Sequence, residues 1–200
     1  MVIVLTGVPG TGKNTIAKEL EKEGYQWISI NKLVDEKHLW DKKEQKTKTK
    51  IVNLKKLKRE LDKLIKKVKK EKGKRKIIIE GHLACEMPLD CDICIVLRTN
   101  PKVLERRLKR RGYTKKKIDD NLMCEKLDYC TQLSIKNLSR ISRIPKISRI
   151  SRTPKTKSKC KIYEIDNSTT KLKAMKAINM ILKGKGNKYK EGWIDWSKYL

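Results

Sequence analysis

The chain has 200 residues, a length that suits one α/β domain with a substantial core. Its 52 basic and 23 acidic residues give a formal net charge of +29, which attracts polyanions such as nucleotides and RNA, although a composition biased toward lysine explains it equally well. The sequence contains no run of the ~18 apolar residues that a membrane span needs, and Met1 leads directly into an apolar strand, without room for a signal peptide. We therefore expect a cytoplasmic protein with no membrane partner.

The first predicted element is a buried strand that leads into a glycine-rich turn. Val2–Leu5 is apolar, and residues 7–15 read Gly-Val-Pro-Gly-Thr-Gly-Lys-Asn-Thr. Glycines let backbone N–H groups approach a polyphosphate, and the lysine reaches its outer oxygens from the start of a helix predicted over residues 14–23. The alternative is a chance glycine turn. The pattern favours a phosphate-binding loop (P-loop) whose candidate ligand-binding residues are Gly7, Gly10, Thr11, Gly12, Lys13, Asn14 and Thr15.

The residue after the P-loop lysine departs from the usual pattern. A Ser or Thr hydroxyl normally contacts Mg²⁺ at this position, whereas this chain has Asn14. Either the Asn14 amide oxygen ligates the metal or Thr15 contacts a phosphate. The sequence predicts nucleotide binding more directly than it predicts the metal geometry.

Further strands and helices alternate along the rest of the chain. Several strands are nearly continuous apolar runs, which is typical of parallel strands covered on both faces. The predicted strands are 25–30, 76–80, 91–97 and 161–166, and the predicted helices are 31–40, 51–70, 101–111, 115–130 and 170–183. Residues 41–50 are expected to be mobile, and the lysines of 51–70 to form a solvated face rather than a dedicated RNA surface. The alternation predicts a doubly wound α/β fold with a five-stranded parallel sheet flanked by helices.

Two further patterns have competing interpretations. Cys91 and Cys94 have the spacing of half a zinc site, but they lie at an apolar run without a convincing second pair, which favours reduced thiols in the core. Residues 139–147 and 148–156 are near-identical basic nonapeptides with prolines and no acidic residue. They predict a basic loop. Either this loop contacts phosphates, or it is a neutral duplication that is tolerated on the surface.

The order of several motifs resembles the archaeal and nuclear-type adenylate kinase family, also called isoenzyme 6. The matching blocks are residues 7–15, 77–82, 95–99 with Val103 and Leu104, 111–125 and 192–196. The resemblance implies a single P-loop NTPase domain over residues 1–200, with a short nucleoside-monophosphate region at 31–54 and a lid at 110–120. The basic insertion at 134–159 and residues 41–50 fall outside the resemblance.

The resemblance also implies roles for four residues outside the P-loop. Arg111 matches the lid arginine that neutralises the transferring phosphoryl group, and Arg107 is a second candidate one helical turn earlier; without the resemblance, both would be assigned to a solvated basic helix end. Glu80 and His82 lie at the carboxyl end of the third predicted strand, where the family has an Asp-x-His motif connected with phosphoryl transfer to water. Glu80 would order a magnesium-bound water or position a nucleophile, and His82 would orient water or exchange protons; the alternative for His82 is a structural role.

The resemblance therefore predicts an enzyme that uses ATP and Mg²⁺ to phosphorylate AMP, giving two ADP, with Lys13, Arg111, Glu80 and His82 as catalytic residues and Asn14 and Glu80 at the metal. It further implies an accompanying ATPase activity and a role in small-subunit ribosome maturation, with ribosomal protein and rRNA as partners. One alternative is mainly an ATPase that serves ribosome assembly. The other is a non-enzymatic basic RNA-binding protein. Residues 41–50 depart from the family pattern, so no AMP-contacting residue is assigned.

Overall fold

The computed structural model describes residues 1–43, 50–71, 75–139 and 160–200. Residues 44–49 of the predicted mobile segment, and the basic repeat apart from Ser139, lie outside the described residues. In chain order the elements are β1 (Val2–Thr6), α1 (Lys13–Lys22), β2 (Gln26–Ser29), α2 (Ile30–Glu36), β3 (Trp40–Lys43), β4 (Lys50–Val52), α3 (Leu54–Lys70), β5 (Ile77–Glu80), β6 (Ile93–Arg98), α4 (Pro101–Arg110), α5 (Lys115–Lys126), α6 (Tyr129–Leu138), β7 (Lys161–Asp166) and α7 (Lys171–Leu182).

The predicted five-stranded parallel sheet is confirmed, with strand order β2-β5-β1-β6-β7. Its central strand β1 is completely buried because side chains on both faces meet helices. Val2 and Val4 pack into the core cluster that includes α3, α4 and α6, whereas Ile3 and Leu5 pack into the cluster that includes α1 and α7. This two-sided burial explains why the strands read as continuous apolar runs. None of the helices in the described ranges is long and apolar enough to cross a membrane.

The region after α2 differs from the sequence prediction. The helix predicted over 31–40 ends at Glu36, and the helix predicted over 51–70 begins only at Leu54, where the Asn53 side chain accepts a hydrogen bond from Lys56 N at 2.9 Å. Between them, β3 and β4 form an antiparallel pair. His38 has a left-handed backbone (φ 51°), which is incompatible with continuing α2. The many lysines hid these two short strands from the sequence analysis.

The helix predicted over 115–130 is also two helices in the structure. Asp128 adopts the left-handed conformation (φ 55°) between α5 and α6, and its carboxylate pairs with the Arg98 guanidinium. The local sequence would allow the helix to continue through residue 128. The ion pair between Asp128 and Arg98 of β6 instead stabilises the turn between the two helices.

Cys91 and Cys94 lie in the core, as the sequence analysis predicted. Both side chains are buried, and each faces a different partner. The Cys91 Sγ lies 2.8 Å from the Sγ of Cys160, and the Cys94 Sγ lies 3.6 Å from the Ser134 Oγ. Burial raises the pKa of the Cys94 thiol, so it behaves as a small apolar side chain.

The largest fully buried side chain belongs to Arg98, at the carboxyl end of β6. Its Nε donates to Glu125 Oε1 at 2.8 Å, its Nη1 donates to Glu164 Oε1 at 2.6 Å, and its Nη2 pairs with Asp128. Burial alone would lower the pKa of Arg98, but the three carboxylates outweigh burial and raise it. The cluster joins β6, α5, the α5–α6 junction and β7.

Removing the charge of Arg98 should destabilise the protein severely. We expect Arg98→Met to lower the free energy of unfolding by about 3–5 kcal/mol, because Glu125 and Glu164 would remain buried without their counter-ion. Urea unfolding followed by circular dichroism measures this change. The matched control is Lys109→Met, which breaks the exposed Lys109–Glu105 ion pair and should cost less than about 1 kcal/mol. Equal effects of both variants would contradict the role of Arg98.

Candidate active site

The glycine-rich loop between β1 and α1 has the backbone that its sequence predicts. Gly7, Gly10 and Gly12 all have positive φ, at 138°, 95° and 94°. A Cβ at Gly7 would lie 2.4 Å from the backbone oxygen of Leu97, so no other residue fits there without moving β6. Thr11 is buried, and its hydroxyl donates to Val8 O at 2.9 Å within the loop. The Thr11 side chain therefore stabilises the shape of the loop.

Lys13 lies across this loop at the start of α1. Its side chain is 7% exposed, and its Nζ donates to Gly7 O at 2.8 Å and to Val8 O at 3.0 Å. Burial lowers the pKa of Lys13, and the nearby carboxylate of Glu80 opposes that change. An anionic ligand at the loop would compensate the buried charge far better than two carbonyl oxygens do.

Asn14 and Thr15 occupy the first turn of α1. Both are exposed, and α1 has no acidic residue in its first turn. The positive end of the helix dipole therefore meets an approaching anion without competition from a carboxylate in the first turn.

Glu80 is placed at the carboxyl end of β5, on the same edge of the sheet as the P-loop. It is 2% exposed and pairs in register with Leu5 of β1 and Ser29 of β2. Burial raises the pKa of the Glu80 carboxyl, and the charge of Lys13 opposes the increase. The structure thus brings Glu80 within electrostatic range of Lys13, as the sequence prediction requires.

His82 follows directly, in a short 3₁₀ turn over His82–Glu86. Its backbone oxygen accepts from the Thr6 hydroxyl at 3.2 Å, which ties the turn to the end of β1. Burial, with a smaller contribution from the charge of Lys13, lowers the pKa of His82 to about 4. The imidazole is therefore neutral near pH 7 and can accept one hydrogen bond and donate another.

The two candidate arginines occupy different positions. Arg107 Nη2 donates to Asn167 O at 2.8 Å, and the Asn167 side chain donates to Thr11 O at 2.7 Å. Arg107 thus braces the loop after β7 against the P-loop. Arg111 directly follows α4 and is exposed, yet its charge is close enough to contribute to the lowered pKa of Lys13.

Asn167 is a functional candidate that the sequence analysis missed. It directly follows β7, and the carboxyl ends of parallel strands are where ligands bind in open sheets. That position was the available signal. Its side chain also lies 2.5 Å from where a Cβ of Gly12 would sit, which explains the glycine at that position.

A second cleft, of about 500 Å³, has His82 in its lining. Most of its lining comes from the region that the sequence assigned to the nucleoside monophosphate, residues 31–54, where the sequence named no contact residue. Lys50 Nζ lies 4.0 Å from the centre of the Trp40 ring and forms an ion pair with Asp35. The lining residues are Asn31, Val34, Asp35, Lys50, Val52, Leu54, His82, Leu83 and Glu86.

The oxygen donors of the site fit a magnesium ion shared with a nucleotide. In the described ranges no group of three or more His, Cys, Asp or Glu side chains could hold a metal alone. Mg²⁺ at nucleotide sites needs only one or two protein oxygens, because phosphates and water complete its octahedron. The side chains of Asn14 and Glu80, next to Lys13 in the chain and at the adjoining end of β5, carry oxygens of the kind that such an ion accepts.

Comparisons with known proteins agree with this geometry. Residues 3–128 match the AAA domain family. A protein of Methanocaldococcus jannaschii named "Putative adenylate kinase" is 30% identical over 200 residues, 99% of this chain and 94% of that protein. Proteins of the same name from Archaeoglobus fulgidus (31% over 206 residues; 100% of this chain and 94% of that protein) and Methanosarcina acetivorans (38% over 130 residues; 64% and 68%) are also similar.

The chain belongs to the adenylate-kinase-like family of P-loop proteins. The AAA domain match spans β1 through the α5–α6 junction of this adenylate-kinase-like protein and so includes the P-loop, Glu80, His82 and Arg111. The resemblance recognised from the sequence is confirmed at this level of the family.

The depressed pKa of His82 predicts a pH dependence of stability. The unfolded chain binds a proton at His82 below pH 6.5, whereas the folded protein does so only near pH 4. Stability should therefore fall as the pH is lowered through this window, by about 2–3 kcal/mol from His82 alone. Urea unfolding at pH 7 and pH 4.5 measures the effect.

Histidine variants separate this contribution from the acid sensitivity of other groups. In His82→Gln the pH dependence should be smaller by that amount. His38→Gln, which removes the exposed second histidine, should follow the wild type. Parallel stability curves for wild type and His82→Gln would contradict the assignment.

Proposed function

We propose that this protein is an adenylate kinase of the isoenzyme-6 type, which transfers the γ-phosphoryl group of ATP to AMP and releases two ADP. One observation carries the proposal. His82 lines the second cleft and also senses the charge of Lys13, so the P-loop and the cleft meet at this residue. A nucleotide kinase needs this arrangement of a polyphosphate site that adjoins a separate acceptor site. The names of the archaeal relatives support adenosine nucleotides as the substrates.

On the donor side, the loop amides and Lys13 hold the triphosphate. Phosphoryl transfer needs little covalent chemistry from the protein, so catalysis consists of alignment and charge neutralisation. The Lys13 ammonium exchanges its carbonyl partners Gly7 and Val8 for phosphate oxygens. Arg111 moves from its exposed position onto the transferring group, and Arg107 with Asn167 keeps the floor of the nucleotide site in place. Asn14 and Glu80 would hold Mg²⁺, which would supply further charge neutralisation.

On the acceptor side, Lys50 binds the monophosphate. It is the only lysine or arginine among the described groups that line the cleft. Its ammonium lies against the Trp40 ring, which holds it at the cleft without satisfying all of its donors. Asp35 neutralises Lys50 in the structure, and a dianionic phosphate competes with that single carboxylate.

The assay that tests the proposal is ADP formation from Mg²⁺-ATP with and without AMP. We expect an AMP-dependent rate with two ADP formed per AMP consumed. Lys13→Ala should lower this rate by at least about a hundredfold because the phosphates lose their buried cation, with a circular dichroism spectrum like that of the wild type. The control Lys18→Ala removes an exposed lysine from the same helix and should retain activity. A fully active Lys13→Ala would contradict the site.

The role of Lys50 is tested by Lys50→Met, which removes the charge and keeps an unbranched side chain of similar length. Loss of a charge-assisted hydrogen bond should raise the KM for AMP about tenfold or more and leave the KM for ATP unchanged. Lys55→Met, on the exposed face of α3, is the matched control. A larger effect on ATP than on AMP would place Lys50 on the donor side instead.

A second function, ATP hydrolysis in small-subunit ribosome maturation, is favoured by the formal charge of +29 and by the Glu80–His82 pair. In this role the neutral His82 and the Glu80 carboxyl orient a water molecule instead of an acceptor nucleotide. Phosphate release without AMP that small-subunit rRNA stimulates, and that weakens as salt is raised, would support it. Absence of turnover in both assays would favour the non-enzymatic RNA-binding alternative.

A further inference from the structure

The last residues of the chain return to the carboxyl edge of the sheet. Lys190 forms an antiparallel bridge with Tyr163 on the outer edge of β7. Gly192 N then donates to Glu164 Oε2 at 2.8 Å, and Trp193 Nε1 donates to Glu164 O at 2.9 Å. We call residues 190–200 the C-terminal tail. Its first half is fastened to the edge strand of the sheet.

The second half of the C-terminal tail contacts the two ends of one helical hairpin. The hairpin consists of α4, the turn that carries Arg111, and α5, and we call residues 101–126 the lid hairpin. Trp196 Nε1 donates to Glu125 Oε1 at 3.2 Å, near the end of α5. Tyr199 OH accepts from Asn100 Nδ2 at 2.7 Å, at the residue that caps the start of α4. The tail therefore touches the lid hairpin at both of its roots.

At both roots, the residue that the tail contacts also forms hydrogen bonds with other parts of the protein. Glu125 Oε1 accepts from Arg98 Nε at 2.8 Å and from Thr99 N at 3.0 Å, in addition to Trp196. Asn100 N donates to Ser168 Oγ at 2.7 Å, beside the loop after β7. Rotation of the lid hairpin about its roots would strain these contacts, so they define its resting orientation.

Small changes at the roots are amplified at the tip. The ten residues of α4 span about 15 Å, so a rotation of about 10° at the root would move Arg111 by about 2.6 Å. A misplacement of about 1 Å in an aligned reaction can lower the rate a hundredfold. Two hydrogen bonds from the tail can thus change the position of the Arg111 guanidinium without contacting it.

We propose that the second half of the C-terminal tail is a positioning element for the lid hairpin, with Trp196 and Tyr199 setting where Arg111 lies relative to the P-loop. The part of this inference that concerns turnover depends on the proposed kinase function. The tail acts on the reaction only through the lid hairpin, so its residues are not catalytic.

The test compares two pairs of matched variants. Trp196→Phe and Tyr199→Phe each remove one hydrogen bond to a lid root and keep an aromatic ring. Trp193→Phe removes an indole hydrogen bond of the same kind to β7, and Tyr189→Phe removes a hydroxyl whose partner is the Met180 sulfur at 4.0 Å. Each variant is measured for amide hydrogen exchange in the full-length protein, and for kcat and the KM for ATP.

In Trp196→Phe and Tyr199→Phe, we expect amides of residues 101–126 to exchange about fivefold faster, the factor for one net hydrogen bond, with β1 and β5 unchanged. The kcat should fall about tenfold with little change in the KM for ATP, because the P-loop is intact and Arg111 acts in the transition state. The two control variants should leave lid exchange and kcat at wild-type values.

The two readouts separate this proposal from the proposed function. If the wild type shows no AMP-dependent turnover, the kinase assignment fails, and selective exchange in residues 101–126 still supports the positioning role. If the wild type is active but the root variants match their controls in lid exchange and kcat, the positioning role is overturned. Uniformly faster exchange throughout the sheet would also overturn it, since the tail would then be a general stabiliser.

Discussion

The buried charge of Arg98 is the interaction on which the active-site half of the molecule depends. A guanidinium that is removed from water needs carboxylate partners to compensate its charge. Arg98 pairs with three carboxylates from separate parts of the chain, those of Glu125, Asp128 and Glu164. These partners determine where α5 ends, where α6 begins and how β7 lies beside β6. Because Glu164 and Glu125 also accept hydrogen bonds from the C-terminal tail, the same charge brings the end of the chain to the roots of the lid hairpin.

Burial also sets the chemistry of the polar groups at the sheet edge. Lys13, Glu80 and His82 are close together, and desolvation shifts the pKa of each toward its neutral form. A bound polyphosphate would favour the charged form of Lys13, so the resting site is electrostatically incomplete without an anion. His82, which lines the cleft beside Lys50, is neutral near pH 7 and so adds no positive charge there.

The parts of the site that the sequence predicted are those formed by adjacent residues. The run from Val2 to Thr15 specifies a strand, a loop and a helix start within fifteen residues, and the structure shows all three. The Arg107–Asn167 brace joins residues 60 positions apart, and the Lys50–Asp35 pair depends on the β3–β4 hairpin. No local pattern encodes either contact, so both were missed.

The sequence by itself determined the parallel sheet, the phosphate-binding loop and the family, because these follow from apolar runs, glycine spacing and the order of motifs. Only the tertiary structure decided that Asp128 breaks a helix, that Asn167 supports the P-loop and that the tail meets both lid roots. These outcomes depend on a buried charge and on side chains from distant elements. The interaction energies of these groups become large only when folding removes the groups from water, so local sequence propensity does not predict them.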